Sequence, residues 1–298
     1  MQPMLASPVT LEQVQYPVYV SAKLDGIRCV GTDEGPKTRS LKRIPNEYTR
    51  KMLSDKIFTG FDGELIVGPP AAEDVFAKTT SGIMSAAGRP DFTWYVFDKW
   101  DEPDKPYTTR LLDLYDANDK SPWGNTLVLA QDWVNNEEEL LAAEHQYLEL
   151  GYEGVIVRAP YGRYKYGRST WREGLLLKRK PLADAEGLVI GFNYLEINLN
   201  EQTKDERGYA KRSNQQDNQL VDYGRMGALQ VRVLNGPFEG AVVSIGTGFT
   251  DEQRRLFAGK DRLASDYDII GTVVNFTYQL SGSKDAPRFP SFKGIRKD

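Results

Sequence analysis

The chain has one cysteine, Cys29, and one histidine, His145, among 298 residues. A single cysteine excludes an intramolecular disulfide and a cysteine-based zinc cage. A single histidine leaves almost no material for serine–histidine or cysteine–histidine catalysis. His145 falls in a helical stretch far from every motif described below, where a surface or partly packed role suffices. No segment approaches the roughly 18 apolar residues of a membrane span, and the first residues lack a basic-then-apolar signal pattern. The expectation is a soluble, cytoplasmic protein with no membrane partner. There is no G-x-x-x-x-G-K-[ST] match, and Gly246-Thr247-Gly248 lacks the third glycine and the βαβ context of a dinucleotide fingerprint. An excess of one charge is missing too. With 38 Lys and Arg against 42 Asp and Glu the net charge is −4. Any grip on a polyanion must therefore come from a local cluster.

The length suits one or two domains with room for a buried core. Residues 1–17 read as a short lead-in. Strands are expected at 18–20 and 27–30, with Asp25-Gly26 as a tight turn between them, then at 61–67, 94–98, 152–158 and 175–181. A basic hairpin extension is expected at 31–45, a helix at 48–57 and a long polar connection at 71–90. Asn136 and Glu139 have the spacing of a capping box for a helix running to Leu150, where Gly151 stops it. Composition shifts near residue 182. Beyond it, strands are expected at 188–192, 229–234, 242–245 and 272–278, with a short helix opened by Thr250 and Gln253. Short strands with one helix suggest a small barrel of the oligonucleotide-binding type. Residues 193–225 are polar and read as a long, mobile loop.

Two stretches carry chemistry. In Lys23-Leu24-Asp25-Gly26-Ile27-Arg28 a lysine stands at a strand end beside a turn. Partial burial and a second cation nearby are expected to lower its pKa and free its lone pair for attack. An ordinary lysine, with a pKa of about 10.4, is neutral only about one part in a few thousand at pH 7. The second stretch is basic: Arg158, Arg163, Lys165, Arg168, Arg172, Lys178, Arg179 and Lys180 face a single acid, Glu173. Tyr161, Tyr164, Tyr166 and Trp171 are interleaved with them. Such interleaving fits a phosphate-contacting surface. Lys178 and Lys180 are two apart on a strand and share a face.

The Lys23–Arg28 stretch resembles the first motif of the covalent nucleotidyltransferases, which comprise ATP-dependent DNA ligases, RNA ligases and mRNA-capping enzymes. Five further motifs follow in the family's order: Asp62-Gly63-Glu64, Tyr95-Val96-Phe97-Asp98, Glu153-Gly154-Val155-Ile156, Leu177-Lys178-Arg179-Lys180-Pro181, and Pro287-Arg288-Phe289-Pro290 with the basic end after it. Glu-Gly in the fourth motif leans away from capping enzymes. Tyr166-Gly167-Arg168-Ser169-Thr170 and the 246–254 stretch resemble compact bacterial and phage-type ATP-dependent DNA ligases.

The resemblance implies an α+β chain of two domains. An adenylation (nucleotidyltransferase) domain of antiparallel sheets with helices would span 1–182, and an OB-fold barrel 183–298. It implies a ligase that seals 5′-phosphate/3′-hydroxyl nicks in duplex DNA, acting as a monomer in replication, repair and recombination. Lys23 would be the nucleophile that carries AMP, and Lys178 and Lys180 would meet the charge building on the α-phosphate. Glu153 would hold Mg2+, with Mn2+ as a substitute. Arg28 and Glu64 would read the ribose, and Phe97 and Ile156 would sandwich adenine. Arg288 would contact the leaving pyrophosphate, and Asp25 would serve the later steps at the nick. Arg163, Lys165, Arg168 and Arg172, together with Lys204, Arg207, Lys211 and Arg212, would grip the DNA. NAD is not expected, because nothing before residue 18 resembles a nicotinamide-binding domain. The chain stops at Asp298, where many relatives continue with a basic residue. Capping guanylyltransferase, RNA ligase and a non-catalytic nicked-DNA binder are the alternatives.

Overall fold

The computed structural model describes residues 2–120, 124–204, 210–213, 219–259, 269–279 and 285–296. Two compact units emerge, one built from Met1–Lys180 with Lys204–Ala210, the other from Pro181–Thr203 together with the chain from Lys211. Among the described residues no helix is long and apolar enough to cross a membrane.

Among the described residues the first unit contains ten strands: β1 (Ser7–Pro8), β2 (Val18–Ala22), β3 (Ile27–Thr32), β4 (Gly35–Thr38), β5 (Phe61–Val67), β6 (Phe92–Lys99), β7 (Thr126–Val128), β8 (Asp132–Val134), β9 (Val155–Arg158) and β10 (Leu176–Arg179). Its helices are α1 (Glu47–Met52), α2 (Val75–Met84), α3 (Tyr107–Lys120) and α4 (Glu137–Glu149). The strands form two sheets, ordered β1-β10-β9-β2-β8 and β4-β3-β5-β6-β7. Most pairings are antiparallel. The exceptions are the parallel pairs β1–β10 and β6–β7.

Asp25-Gly26 does not close a hairpin. β2 pairs with β8 and β9, whereas β3 pairs with β4 and β5. The turn thus carries the chain from one sheet to the other. Gly26 is needed at the crossing, because a Cβ there would lie 2.2 Å from the Leu65 carbonyl oxygen.

Period-two alternation explains why each sheet has one apolar and one functional face. In the first sheet Val18, Val20, Val155, Val157 and Leu177 pack with Leu140 of α4. Ser21, Ile156 and Lys178, aligned across three strands, face the other way. In the second sheet Ile27, Cys29, Leu65, Trp94 and Val96 form a core with Ile83 of α2 and Leu114 of α3. Arg28, Glu64 and Phe97 lie on its opposite face. The polar connection expected at 71–90 contains α2, whose Val75, Thr79 and Ile83 are buried at four-residue spacing. The helix expected at 48–57 is shorter, stopping at Met52 before a 3-10 turn at Lys56–Phe58. Half of the expected α4 capping box forms, with Glu139 N donating to Asn136 Oδ1 at 2.9 Å, whereas the Glu139 carboxylate accepts from Asn135 N at 2.8 Å, one residue before the cap.

The second unit contains β11 (Leu182–Asn198), β12 (Gln202–Lys204), β13 (Ala210–Arg212), β14 (Gln219–Val233), β15 (Val242–Ile245), α5 (Asp251–Phe257), β16 (Val273–Gln279) and β17 (Arg288–Ile295). Five strands make one antiparallel sheet, β15-β14-β11-β16-β17, around a core that includes Val189, Leu229, Val231, Phe276 and Phe292. Among the described residues the sheet is not a closed barrel. Its edges approach each other at the Thr247–Ser291 bridge, beside a 2.9 Å bond from Phe292 N to Thr247 O and a 3.0 Å bond from Thr247 Oγ1 to Pro290 O. Where it is described, the stretch expected as a long loop is mostly strand. β11 runs on to Asn198 and pairs with β14 through Leu195–Asp222, Glu196–Val221 and Ile197–Leu220. The polar composition of 193–225 hid these apolar and aromatic strand formers, among them Tyr194 and Tyr223, whose rings meet at 5.2 Å. Arg207 and the side chains of Lys204 and Lys211 lie outside the described residues.

Candidate active site

Lys23 follows β2 directly, and its backbone N donates to Gly154 O at 2.9 Å. Gly154 has φ +146°, and a Cβ there would lie 2.2 Å from Arg179 O. Only glycine lets the start of β9 come this close to the end of β10. That approach sets Glu153 between two lysines. One carboxylate oxygen accepts from Lys23 Nζ and the other from Lys180 Nζ. Glu153 is 5% exposed. Burial pushes its carboxyl up, but the two ammoniums outweigh burial and bring it down to about 2.

Lys23 behaves differently from the expectation. Burial pushes its pKa down, yet Glu153 above all, then Glu64 and Asp25, carry it above the ordinary lysine range. The local sequence shows the lysine at a strand end but not the carboxylate 130 residues later. The two neighbouring lysines shift the other way. Lys178 is lowered by burial and then by Lys23, Lys180 and Arg168, and Lys180 by burial and then by Lys23. Lys180 shares Glu153 with Lys23, but the like charge beside it and its burial win.

Arg28 is held by Asp62. Its guanidinium forks onto Asp62, with Nε to Oδ1 at 2.5 Å and Nη2 to Oδ2 at 2.6 Å. Nη2 also reaches the Met4 carbonyl at 3.1 Å. Tyr164 donates its hydroxyl to Asp62 Oδ2 at 2.6 Å and accepts from Met4 N at 3.0 Å. The N-terminal lead-in is therefore part of the site, and its β1 runs beside Lys178 through Pro8. Asp62 and Tyr164 lay within stretches already singled out. Nothing in the sequence paired them with each other or with residue 4. Glu64 stands opposite Arg28 on the neighbouring strand. Burial raises its carboxyl to about 7, against the pull of Arg28 and Lys23.

Phe97 is flanked by two guanidiniums, Arg28 at 4.7 Å and Arg158 at 5.1 Å from its ring centroid. Arg158 is held by Asp98, which also takes Arg110 Nε at 2.7 Å and Nη2 at 3.2 Å. Arg110 went unnoticed in the sequence, and it is fully buried. Ile156 lies beside Lys178 and two residues from Arg158 on the same sheet face.

The outlying basic residues have mixed settings. Arg163, Arg168 and Arg172 are exposed. Arg168 caps the Ala6 carbonyl at 2.7 Å, and Arg172 stacks on Trp171 at 4.5 Å. Lys165 is paired with Glu173 at 2.7 Å. In the second unit Arg212 donates to the Asn200 carbonyl, and Arg288 lies over the Phe289 ring at 4.9 Å. Among the described residues no three carboxylate, histidine or cysteine side chains gather as a metal cage. A single carboxylate suits Mg2+, which keeps several waters and takes further oxygens from phosphate, and Glu153 offers one.

A family model described as the DNA ligase OB-like domain matches residues 222–296. The DNA ligase-adenylate of Chlorella virus, in two crystal structures, is 32% and 34% identical, each with a TM-score of 0.56. The first alignment covers 99% of both chains, and the second 100% of this chain and 98% of the viral one. A Lig E DNA ligase gives a TM-score of 0.69 at 24% identity over 99% of both chains, a likeness of fold. The DNA ligase of African swine fever virus (isolate Warthog/Namibia) is 25% identical over 199 residues, 62% of this chain and 46% of the viral protein. The chain thus spans under half the length of the curated relatives it matches. Six motifs in order and a third of all positions shared, end to end, with a ligase solved as its adenylate lead to one conclusion: the chain belongs to the ATP-dependent DNA ligase family.

Proposed function

We propose that this protein seals nicks in duplex DNA in three nucleotidyl transfers driven by ATP. In the first, Lys23 Nζ attacks the α-phosphorus of ATP. An N–P bond forms, the bond to the bridging oxygen breaks, and pyrophosphate leaves. In the second, AMP passes from Lys23 to the 5′-phosphate at the nick. In the third, the 3′-hydroxyl attacks that phosphate, closing the strand and releasing AMP. The observation that carries this reading is Lys23 and Lys180 on the two oxygens of Glu153, with Lys178 alongside.

Lys178 and Lys180 supply fixed positive charge for the non-bridging oxygens as they gain charge in the transition state. Lys23 must lose a proton before it attacks, so its pairing with Glu153 has to loosen once nucleotide enters. Glu153 would hold a divalent cation, which would offset the negative charge that keeps Lys23 protonated. Arg28 and Glu64 read the ribose, Phe97 and Ile156 flank the base, and Asp25 serves the steps at the nick. Arg288 keeps the role toward pyrophosphate that the resemblance gives it. Arg163, Lys165, Arg168 and Arg172 are assigned to the DNA backbone.

Incubating the protein with Mg2+ and radiolabelled ATP or GTP, then running a denaturing gel, tests the reading. Label from ATP, with sealing of a nicked duplex, is expected. Label from GTP points to a capping enzyme, ATP label with sealing only of RNA to an RNA ligase, and no label to a non-catalytic binder.

A further inference from the structure

Tyr164 lies in the basic stretch, yet at 2% exposed it reaches neither nucleotide nor DNA. Its ring packs with Met4 and Leu176, and its backbone N donates to Pro103 O at 2.8 Å. The ring is thus placed without help from the hydroxyl. The hydroxyl joins the two partners of Arg28. It donates to Asp62 Oδ2 at 2.6 Å and accepts from Met4 N at 3.0 Å. Arg28 Nε donates to Asp62 Oδ1 at 2.5 Å, and Nη2 serves both Asp62 Oδ2 at 2.6 Å and Met4 O at 3.1 Å. Nη1 makes no hydrogen bond among the described residues. The Arg28 side chain is 15% exposed, so a ligand can reach it.

We infer that Tyr164 is a positioning residue for ribose recognition: by tying Asp62 to Met4 it holds Arg28 with Nη1 aimed at a sugar hydroxyl of the bound nucleotide. The inference rests on the ribose-reading role proposed above for Arg28. Arg28 stands on β3, Asp62 on β5 and Met4 on the lead-in. Either partner alone would hold the guanidinium loosely, because a carboxylate turns easily about its last torsion and a single carbonyl fixes a single N–H. The hydroxyl closes these contacts into a ring of bonds. Turning the Asp62 carboxylate would break its bond to Tyr164, and moving Met4 O would draw Met4 N off the hydroxyl. The guanidinium also lies 4.7 Å from the Phe97 ring centroid, so the same hold keeps it beside the wall assigned to the base. A donor fixed before the ligand arrives costs less ordering on binding and is more selective for the group it faces.

The test uses the full chain, as wild type and Tyr164→Phe, with ATP, 2′-deoxy-ATP and 3′-deoxy-ATP. Binding is read by calorimetry and adenylation by single turnover. Phenylalanine keeps the packed ring and removes only the hydroxyl. Wild type is expected to bind at least one deoxy analogue about tenfold more weakly than ATP, the scale of a hydrogen bond to a charged group. In Tyr164→Phe that ratio is expected to shrink to about threefold or less, through weaker binding of ATP and unchanged binding of the analogue. The loss should fall on binding and not on the adenylation rate at saturating ATP. Equal binding of all three nucleotides by wild type overturns the inference. So does a variant that keeps the wild-type ratios, whether its affinities are unchanged or all weakened alike, which marks a tyrosine with a structural role only. Asp62→Asn cuts the same ring at its other side, because an amide cannot accept from both Arg28 and Tyr164 as the carboxylate does. It should narrow the same ratio, and it decides should Tyr164→Phe not fold. Because binding is read without chemistry, a wild type that binds ATP but forms no adenylate overturns the proposed function and leaves this reading standing. A wild type that binds no ATP overturns both.

Discussion

Glu153 and Asp98 are both deeply buried carboxylates, and each meets two cations. Their partners differ in kind. Asp98 is held by Arg110 and Arg158, and arginine keeps its charge at any pH a protein survives. That cluster is permanent and ties β6 to α3 and β9. Glu153 is held by Lys23 and Lys180, which can give up protons when buried. Its balance is already uneven, since Lys23 is raised and Lys180 lowered on the same carboxylate. What separates a permanent brace from a cluster that can change its charge here is the partner's chemistry, not the depth of burial.

Breaking the brace should give the largest effect on stability. Asp98→Ala leaves two buried guanidiniums uncompensated and should lose about 3–5 kcal/mol in denaturant unfolding. Glu153→Gln leaves lysines that can shed their protons, and should lose clearly less. Equal losses would erase the distinction.

The next effect is on Lys23 itself. Without the charge on Glu153, burial dominates and the Lys23 pKa falls. In Glu153→Gln an amine-directed reagent should label Lys23 faster at mildly alkaline pH than in wild type, and unchanged labelling would contradict the pairing. The same variant tests the acid limb. The Glu153 carboxyl drops from 4.5 to about 2 on folding. Its contribution is therefore complete above pH 4.5 and lost as pH falls toward 2. Glu153→Gln should lose less stability than wild type over that window.

Glu64 has the opposite sign. Its carboxyl is raised from 4.5 to about 7. The folded state holds a proton that the unfolded state has released, so its contribution is complete below pH 4.5 and declines as pH rises through 7. The stability of wild type should fall relative to Glu64→Gln across that interval. Parallel curves would mean that Glu64 stays charged throughout.

The smallest effect concerns the basic residues between 204 and 212. Replacing Lys204, Arg207, Lys211 and Arg212 with serine should leave adenylation intact. It should flatten the slope of log affinity for nicked duplex against log salt by up to about 0.9 per lost phosphate contact. An unchanged slope would leave these residues without a grip on DNA.

The strands of the Lys23 and Glu64 motifs were legible because apolar alternation is local, and the α4 and α5 caps because a cap is four residues long. The crossing at Asp25-Gly26 was not legible, since a short Asp-Gly turn reads the same whether the next strand pairs beside the last or joins another sheet. Two charges escaped for a further reason. Arg110 and Arg158 look like surface residues until Asp98, 12 and 60 positions away, is found beside them. The role of Met4 lies in backbone atoms, which leave no trace in residue type.

In the proposed function Lys23 Nζ is the atom that carries AMP. Wild type, Lys23→Arg and Lys23→Ala, each incubated with ATP and Mg2+, digested and mapped by mass spectrometry, test it directly. One adenylate is expected on the wild-type peptide that contains Lys23, and none on either variant, with nicked-duplex binding nearly intact in all three. An adenylate on another residue, or one that survives in the variants, would contradict it.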